Sequence, residues 1–121
     1  MMIKERTREM DEEKQYITHL IHLYVSLPET PSRATSYDHD VASSWFANGT
    51  PISIAESALI LGSVRRLRRK TNVFLLPPIR TLSYFLPVIE ELRQYPPNPS
   101  YIDYCREELE SVRGLHHKLN R

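Results

Sequence analysis

Six basic side chains in the middle of the chain have the clearest chemical potential. Residues 57–89 contain no acidic residue, and they hold the six residues that we call the basic strip: Arg65, Arg66, Arg68, Arg69, Lys70 and Arg80. The flanking blocks are not basic, with five basic against nine acidic residues in 1–56 and five against six in 90–121. Such a cluster favours a negatively charged partner, either a phosphate backbone or an acidic protein face. Basic residues near a helix end also complement the helix dipole without any partner, and this alternative stays open.

Groups for acid–base, nucleophilic or metal chemistry form no recognisable set. His19 and His22 are three residues apart, but neither a cysteine pair nor an HExxH motif accompanies them. The single cysteine, Cys105, cannot form an internal disulfide, and we expect it to be a small apolar group on the inner face of a helix. No serine has a base at a fixed spacing. We therefore expect no enzymatic activity, no metal and no cofactor.

Aromatic side chains provide a second kind of binding chemistry. Among the seven tyrosines, Tyr84 is followed by Phe85 and lies near Arg80 in the sequence. Bases of a single-stranded nucleic acid stack on such rings beside basic groups. The alternative is that the tyrosines lie at the boundary of the core with their hydroxyls in water.

A small set of packed helices must position these residues. The chain has 121 residues, which is enough for one domain, and its three glycines against nine prolines argue against a sheet of glycine-turn hairpins. The sequence predicts an all-α fold, a compact bundle of about five helices. We divide it into a charged extension or frayed helix start at 1–14, one helical domain at 15–115 and a polar tail at 116–121. With no long apolar run and no leader sequence, we expect a cytoplasmic protein that does not contact membranes.

Proline, glycine and capping signals mark the first two helices. Apolar residues spaced by three and four from residue 15 onwards predict a helix that ends before Pro28. Thr35 or Ser36 can cap a second helix, which Gly49 ends in the left-handed conformation. A third helix follows at once, so these two helices are expected to form a tight hairpin.

The remaining helices carry the basic strip and the aromatic residues. The third helix is predicted at 51–70, with Ser53 and Glu56 in capping-box spacing. The fourth begins at Thr81 or Ser83, and Pro87 lies either in its first turns or at a kink. The fifth opens with a capping box formed by Ser100 and Asp103.

The tight turn at Gly49 gives the third helix the position of a recognition helix in a helix-turn-helix motif. Ser53 and Ser57 would then contact bases, and the arginines would contact phosphates. The exposed face of that helix would comprise Ser53, Glu56, Ser57, Ser63, Arg66 and Lys70. Trp45 stands where the motif usually has a small residue. The alternative is therefore an ordinary helical hairpin with Trp45 in its core.

The central stretch combines Asp38 and Ala42 ahead of Trp45, a Gly49-Thr50-Pro51 turn, the basic helix end and the segment TLSYF at 81–85. In this combination, residues 37–92 resemble small helical modules of bacterial plasmid and phage replication initiators. They are also similar to accessory proteins encoded beside transposases or integrases. The resemblance implies a role in a DNA transaction, and it brings no catalytic residue with it.

Two functions follow from these observations as hypotheses. The first is a small DNA-binding accessory protein whose basic strip contacts phosphates, with duplex DNA favoured over single-stranded DNA. It would act in replication, transposition or site-specific recombination of a mobile element, as a homodimer or with a recombinase, transposase or replication protein. The second is a protein-interaction adaptor, in which the basic strip and the apolar residues 74–76 dock an acidic partner.

Overall fold

The structure, a computed structural model, describes residues 2–69 and 77–119. Its elements in chain order are α1 (Met2–Ser26), α2 (Ser36–Ala47), α3 (Ile52–Arg69), a short 3-10 helix (Leu82–Phe85), α4 (Leu86–Gln94) and α5 (Pro99–Leu119). No β-strand occurs among the described residues, and the five α-helices pack into one bundle. The all-α fold expected from the sequence is confirmed.

The first helix is longer than its apolar pattern. It begins at Met2, so the charged stretch at 1–14 contains the start of a long helix and the predicted boundary at residue 15 falls inside that helix. Farther along, Leu20 and Tyr24 are completely buried. At the end of α1, the Tyr24 carbonyl accepts the Leu27 N–H at 3.2 Å and the Thr30 hydroxyl at 2.7 Å, as a carbonyl in the last turn of a helix needs partners from outside the helix.

A tight turn joins α2 to α3, as the sequence predicts, but α2 packs mainly against α1 and the 3-10 helix, so the predicted α2–α3 hairpin is not confirmed. A capping box opens α2, in which the Asp38 N–H donates to Thr35 Oγ1 and the Thr35 N–H donates to Asp38 Oδ2. Gly49 closes the helix with φ at 76°, a conformation that glycine adopts without strain. The Thr50 N–H then donates to the Trp45 carbonyl at 3.0 Å. Trp45 is only 3% exposed and belongs to the core of the whole bundle.

The predicted capping boxes at Ser53 and Ser100 are wrong, because each helix begins before its serine. The Pro51 carbonyl accepts the Ile54 and Ala55 N–H groups, both at 3.1 Å, so Ser53 lies inside the first turn of α3. In α5, Asn98 rather than Ser100 is the cap, because its side chain accepts from the Ser100 N–H at 2.9 Å. Pro99 then occupies the first helical position, for which its fixed φ is suited.

The third helix lies in the middle of the bundle, in contact with α1, the 3-10 helix, α4 and α5. Every residue from 58 to 64 is buried. The predicted exposed face is therefore wrong at Ser63 and Arg66, which are 2% and 3% exposed. For Arg66 the reason is that the chain around Tyr84 packs over this side of α3. Helix α3 thus offers no continuous exposed face for a DNA groove.

The 3-10 helix runs directly into α4, with Pro87 in the first turn of α4, one of its two predicted placements. Phe85 is completely buried and lies against Gly62, where an added Cβ would be 2.8 Å from the Phe85 ring. In α5, Cys105 is completely buried, as expected. This helix continues to Leu119, so the predicted tail at 116–121 begins inside a helix.

Candidate functional site

Arg66 is a buried structural residue in this fold. Its Nε donates to Glu29 Oε2 at 3.0 Å, and its Nη2 donates to the Pro77 carbonyl. Burial lowers the pKa of the guanidinium, but hydrogen bonds to Tyr84 and Glu29 outweigh this and raise the pKa overall. Since its donors face these partners inside the protein, Arg66 is not presented to a phosphate in solution as the sequence suggested. It instead fastens the segment around Pro77 to the end of α3.

Glu29, which the sequence did not single out, also connects this segment to the rest of the fold. Its backbone adopts φ of 66°, a left-handed conformation that is strained for a residue with a side chain. Its carbonyl accepts the Ile79 N–H at 3.1 Å while its carboxylate accepts from Arg66. No sequence motif signals this arrangement, because it joins three segments that are distant along the chain.

Arg65 and Arg68 also have acidic partners. Arg65 forms a bidentate pair with Glu91, with N–O distances of 2.9 and 2.7 Å, and this hydrogen bonding lowers the pKa of the Glu91 carboxyl. Arg68 donates to the Tyr101 hydroxyl at 3.0 Å and to Glu108 at 3.3 Å. The charges of both arginines are therefore compensated by carboxylates from α4 and α5.

Arg69 and Arg80 are the two remaining described members of the basic strip. Both are exposed, and neither forms an ion pair with a described residue. They line one cleft of about 560 Å³, which we call the Arg80 cleft. Its described lining comprises Arg66, Arg69, Pro77, Pro78, Ile79, Arg80, Thr81 and Tyr84, with no acidic residue among them. A smaller depression of about 360 Å³ adjoins it, since Arg66, Arg69 and Tyr84 line both.

The other predicted site residues do not join this cleft. Ser53 is exposed in the first turn of α3, and Ser57 is half-buried one turn later. At about 1.5 Å per residue, Ser57 lies about 18 Å along the helix from Arg69. The serines and the free arginines therefore do not form one surface that could contact bases and phosphates together. Lys70 and the apolar residues 74–76 lie outside the described residues.

Asp38 is a second residue with a structural role that joins distant segments. It lies in the first turn of α2 and is completely buried. Its Oδ1 accepts the Leu82 N–H at 2.9 Å while its Oδ2 serves the capping box. The Thr-x-x-Asp spacing from Thr35 was an available signal for the cap, but nothing local indicated the bond to Leu82.

The described residues also bear on metal binding. They contain no group of three or more His, Cys, Asp or Glu side chains placed to hold a metal ion. His19 Nε2 lies 3.4 Å from Glu56, at an exposed contact between α1 and α3. Within the same part of the chain, no helix combines the length and the apolar character needed to cross a bilayer.

Comparison with known proteins adds no neighbour to this picture. No family model matches the chain, and neither the curated proteins nor the solved structures contain a significant match. The observations that bear on function are therefore the geometry and charge of the Arg80 cleft and the resemblance of residues 37–92.

Proposed function

We propose that this chain is a small non-enzymatic DNA-binding accessory protein that contacts phosphates with Arg69 and Arg80. The observation that carries the proposal is the charge of the Arg80 cleft. Both arginines are exposed there without an ion-pair partner among the described residues, and no described lining residue is acidic. Cations without a nearby counter-charge attract a polyanion strongly.

The biological setting in this proposal is replication, transposition or site-specific recombination of a mobile element, in the cytoplasm. It rests on the resemblance of residues 37–92 to helical modules of replication initiators and to accessory proteins of transposases and integrases. Two phosphate contacts on one small module give weak binding, so we expect a homodimer or a complex with a recombinase, transposase or replication protein.

The pairing of the arginines sets the expected salt dependence. Six free cations would give a steep dependence, whereas Arg65, Arg66 and Arg68 already have acidic partners. With about two phosphates neutralised, log K should fall with log salt at a slope of about −1.8 for duplex DNA and about −1.4 for a single strand. The fold thus predicts a shallow salt dependence.

Fluorescence anisotropy with labelled DNA, between about 50 and 200 mM salt, tests this proposal. We expect the double variant Arg69→Gln/Arg80→Gln to lose most of the affinity and nearly all of the salt slope. Both residues are exposed, so the stability of the variant should stay within about 0.5 kcal/mol of the parent. A slope that is unchanged in the double variant would contradict the proposal.

Arg8→Gln is the matched control, because it removes one exposed cation far from the cleft. Arg8 lies on α1, about 27 Å along the helix from its end at Ser26. We expect its substitution to leave both affinity and slope nearly unchanged. A loss equal to that of Arg69→Gln alone would mean that binding follows total charge rather than the cleft.

An adaptor that docks an acidic protein partner is the second candidate function. The exposed rings of Pro77 and Pro78 favour it, because they give the same cleft an apolar component. This alternative predicts no DNA binding even at about 50 mM salt. That result would make the adaptor the leading hypothesis.

A further inference from the structure

Tyr84 presents a partly exposed aromatic ring that its neighbours hold in place. The side chain lies on the 3-10 helix and is 38% exposed. The ring packs edge-on against Phe85, with centroids 5.1 Å apart and planes at 80°. The Arg66 guanidinium carbon lies 5.6 Å from the Tyr84 centroid, within the range of a cation–π contact.

The position of Tyr84 places this ring beside the two free cations. Tyr84, Arg69 and Arg80 line the Arg80 cleft together, and Tyr84 and Arg69 also line the adjoining depression. An aromatic ring next to unpaired cations is the combination that single-strand-binding proteins use, because a base stacks on the ring while the cations contact phosphates.

The burial of α3 removes the structural reason for preferring duplex DNA. A recognition helix must insert an exposed face into the major groove, and residues 58–64 of α3 are all buried. In a duplex, moreover, the faces of the bases are stacked on one another and are not accessible to Tyr84. In a single strand these faces are accessible.

We propose that the Arg80 cleft binds a single-stranded segment of DNA, with one base stacked on Tyr84 and adjacent phosphates on Arg69 and Arg80. This inference rests on the proposed DNA-binding function and specifies the form of DNA that it takes. Arg66 then acts as a positioning residue, since it contacts the ring and fastens the segment around Pro77.

The test compares a labelled oligothymidine of about 12 nucleotides with a duplex of the same length, by anisotropy at low salt. We expect the parent protein to prefer the single strand. Tyr84→Ala and Tyr84→Leu should weaken single-strand binding by about 5- to 150-fold, with duplex binding changed much less. Tyr84→Leu keeps more apolar packing than Tyr84→Ala but has no aromatic face, so comparing the two variants separates loss of the face from loss of packing.

Two further variants make the test specific. Tyr84→Trp should retain single-strand binding, and the fluorescence of the introduced indole should be quenched by a stacked base. The native Trp45 is buried and should report little change. Tyr104→Ala is the matched control, because Tyr104 is a more exposed tyrosine on α5 that stacks on Tyr101 and does not line the cleft.

The outcomes separate this inference from the proposed function. Equal affinity for both DNA forms, unaffected by Tyr84→Leu, would overturn the stacking model while leaving phosphate binding by Arg69 and Arg80 intact. An equal loss for both forms in Tyr84→Leu would also overturn it, because it would assign Tyr84 a structural role. No binding of the parent protein to either form would overturn both proposals.

Discussion

Tyr24 carries a completely buried hydroxyl that forms no hydrogen bond with a described residue. Burial raises the pKa of this hydroxyl above its usual value, and the nearby charge of Asp38 raises it further. Burial likewise raises the pKa of Tyr16 to about 12. Because the folded state holds these protons more tightly than the unfolded state, its stability is fully present below about pH 10 and falls as the pH rises beyond that value.

The substitution Tyr24→Phe tests this at the residue scale. It removes a buried polar atom without changing the ring, so we expect the free energy of unfolding near pH 7 to change by less than about 1 kcal/mol, in the stabilising direction. Near pH 10.5 the variant should have lost less stability than the parent. Urea unfolding at the two pH values measures both effects.

Tyr95→Phe is the control, because Tyr95 is 72% exposed. It should behave like the parent at both pH values. A loss of more than about 1.5 kcal/mol in Tyr24→Phe near pH 7 would show instead that the hydroxyl has a partner.

At the scale of elements, Gly62 determines how closely the 3-10 helix approaches α3. Alanine is favoured over glycine inside a helix by about 1 kcal/mol, so local propensity alone predicts that Gly62→Ala is stabilising. The contact with Phe85 opposes this, because the added Cβ would lie 2.8 Å from a ring that is completely buried. Overpacking of a core costs about 1–3 kcal/mol.

We therefore expect Gly62→Ala to lower the free energy of unfolding by about 1 kcal/mol, as measured by urea denaturation. Combining it with Phe85→Leu should give a smaller loss than the sum of the two single variants, because the smaller side chain relieves the overlap. Ser53→Ala, at an exposed position of α3, is the propensity control. A stabilised Gly62→Ala protein would refute the packing argument.

Local signals predicted the elements well. The fourth helix, expected to begin at Thr81 or Ser83, instead begins at Leu86 after the 3-10 helix. Apolar spacing together with Gly49 and Pro28 still predicted the number of helices and most of their ends. They did not predict which side of α3 is covered. Periodicity shows that a helix has an apolar face, but the covering of Arg66 depends on Tyr84, a residue from another part of the chain. The same limit applies to the candidate site, where Arg69 and Arg80 were identified but not distinguished from their paired neighbours.

At the scale of the whole molecule, the distribution of charge in space differs from its distribution in the sequence. Residues 57–89 contain no acidic residue, yet α3 pairs with carboxylates that come from the loop after α1, from α4 and from α5. These ion pairs join helices to one another. A count along the chain therefore overestimates the positive charge available to a partner.

The pair between Arg65 and Glu91 makes a testable contribution to stability in acid. Hydrogen bonding from Arg65 lowers the Glu91 pKa from its usual 4.5, so the contribution is present above about pH 4.5 and is lost as the pH falls through the lowered pKa. Both side chains are partly exposed, so Glu91→Gln should reduce the free energy of unfolding near pH 7 by about 0.2–1 kcal/mol. Near pH 3 the difference between the variant and the parent should be smaller than near pH 7.

Unfolding by urea at the two pH values measures this difference. Urea is used because it is uncharged and, unlike guanidinium chloride, does not screen ion pairs. Glu90→Gln is the control on the same helix, because Glu90 is exposed and forms no ion pair with a described residue. A deficit of Glu91→Gln that persists undiminished near pH 3 would mean that the ion pair is not its origin.

The two hydrogen-bonding roles of Asp38 have a consequence for the order in which the chain folds. One carboxylate oxygen, Oδ2, accepts the Thr35 N–H within the capping turn. The other, Oδ1, accepts the Leu82 N–H, which is 44 positions away along the chain. The first contact closes a very short loop and the second a very long one, at a higher entropic cost. The cap of α2 can form early, but its carboxylate is fully satisfied only when the chain has returned to it. We therefore expect the local turn to reach its full stability only when the distant 3-10 helix is in place, so that the two segments fold cooperatively.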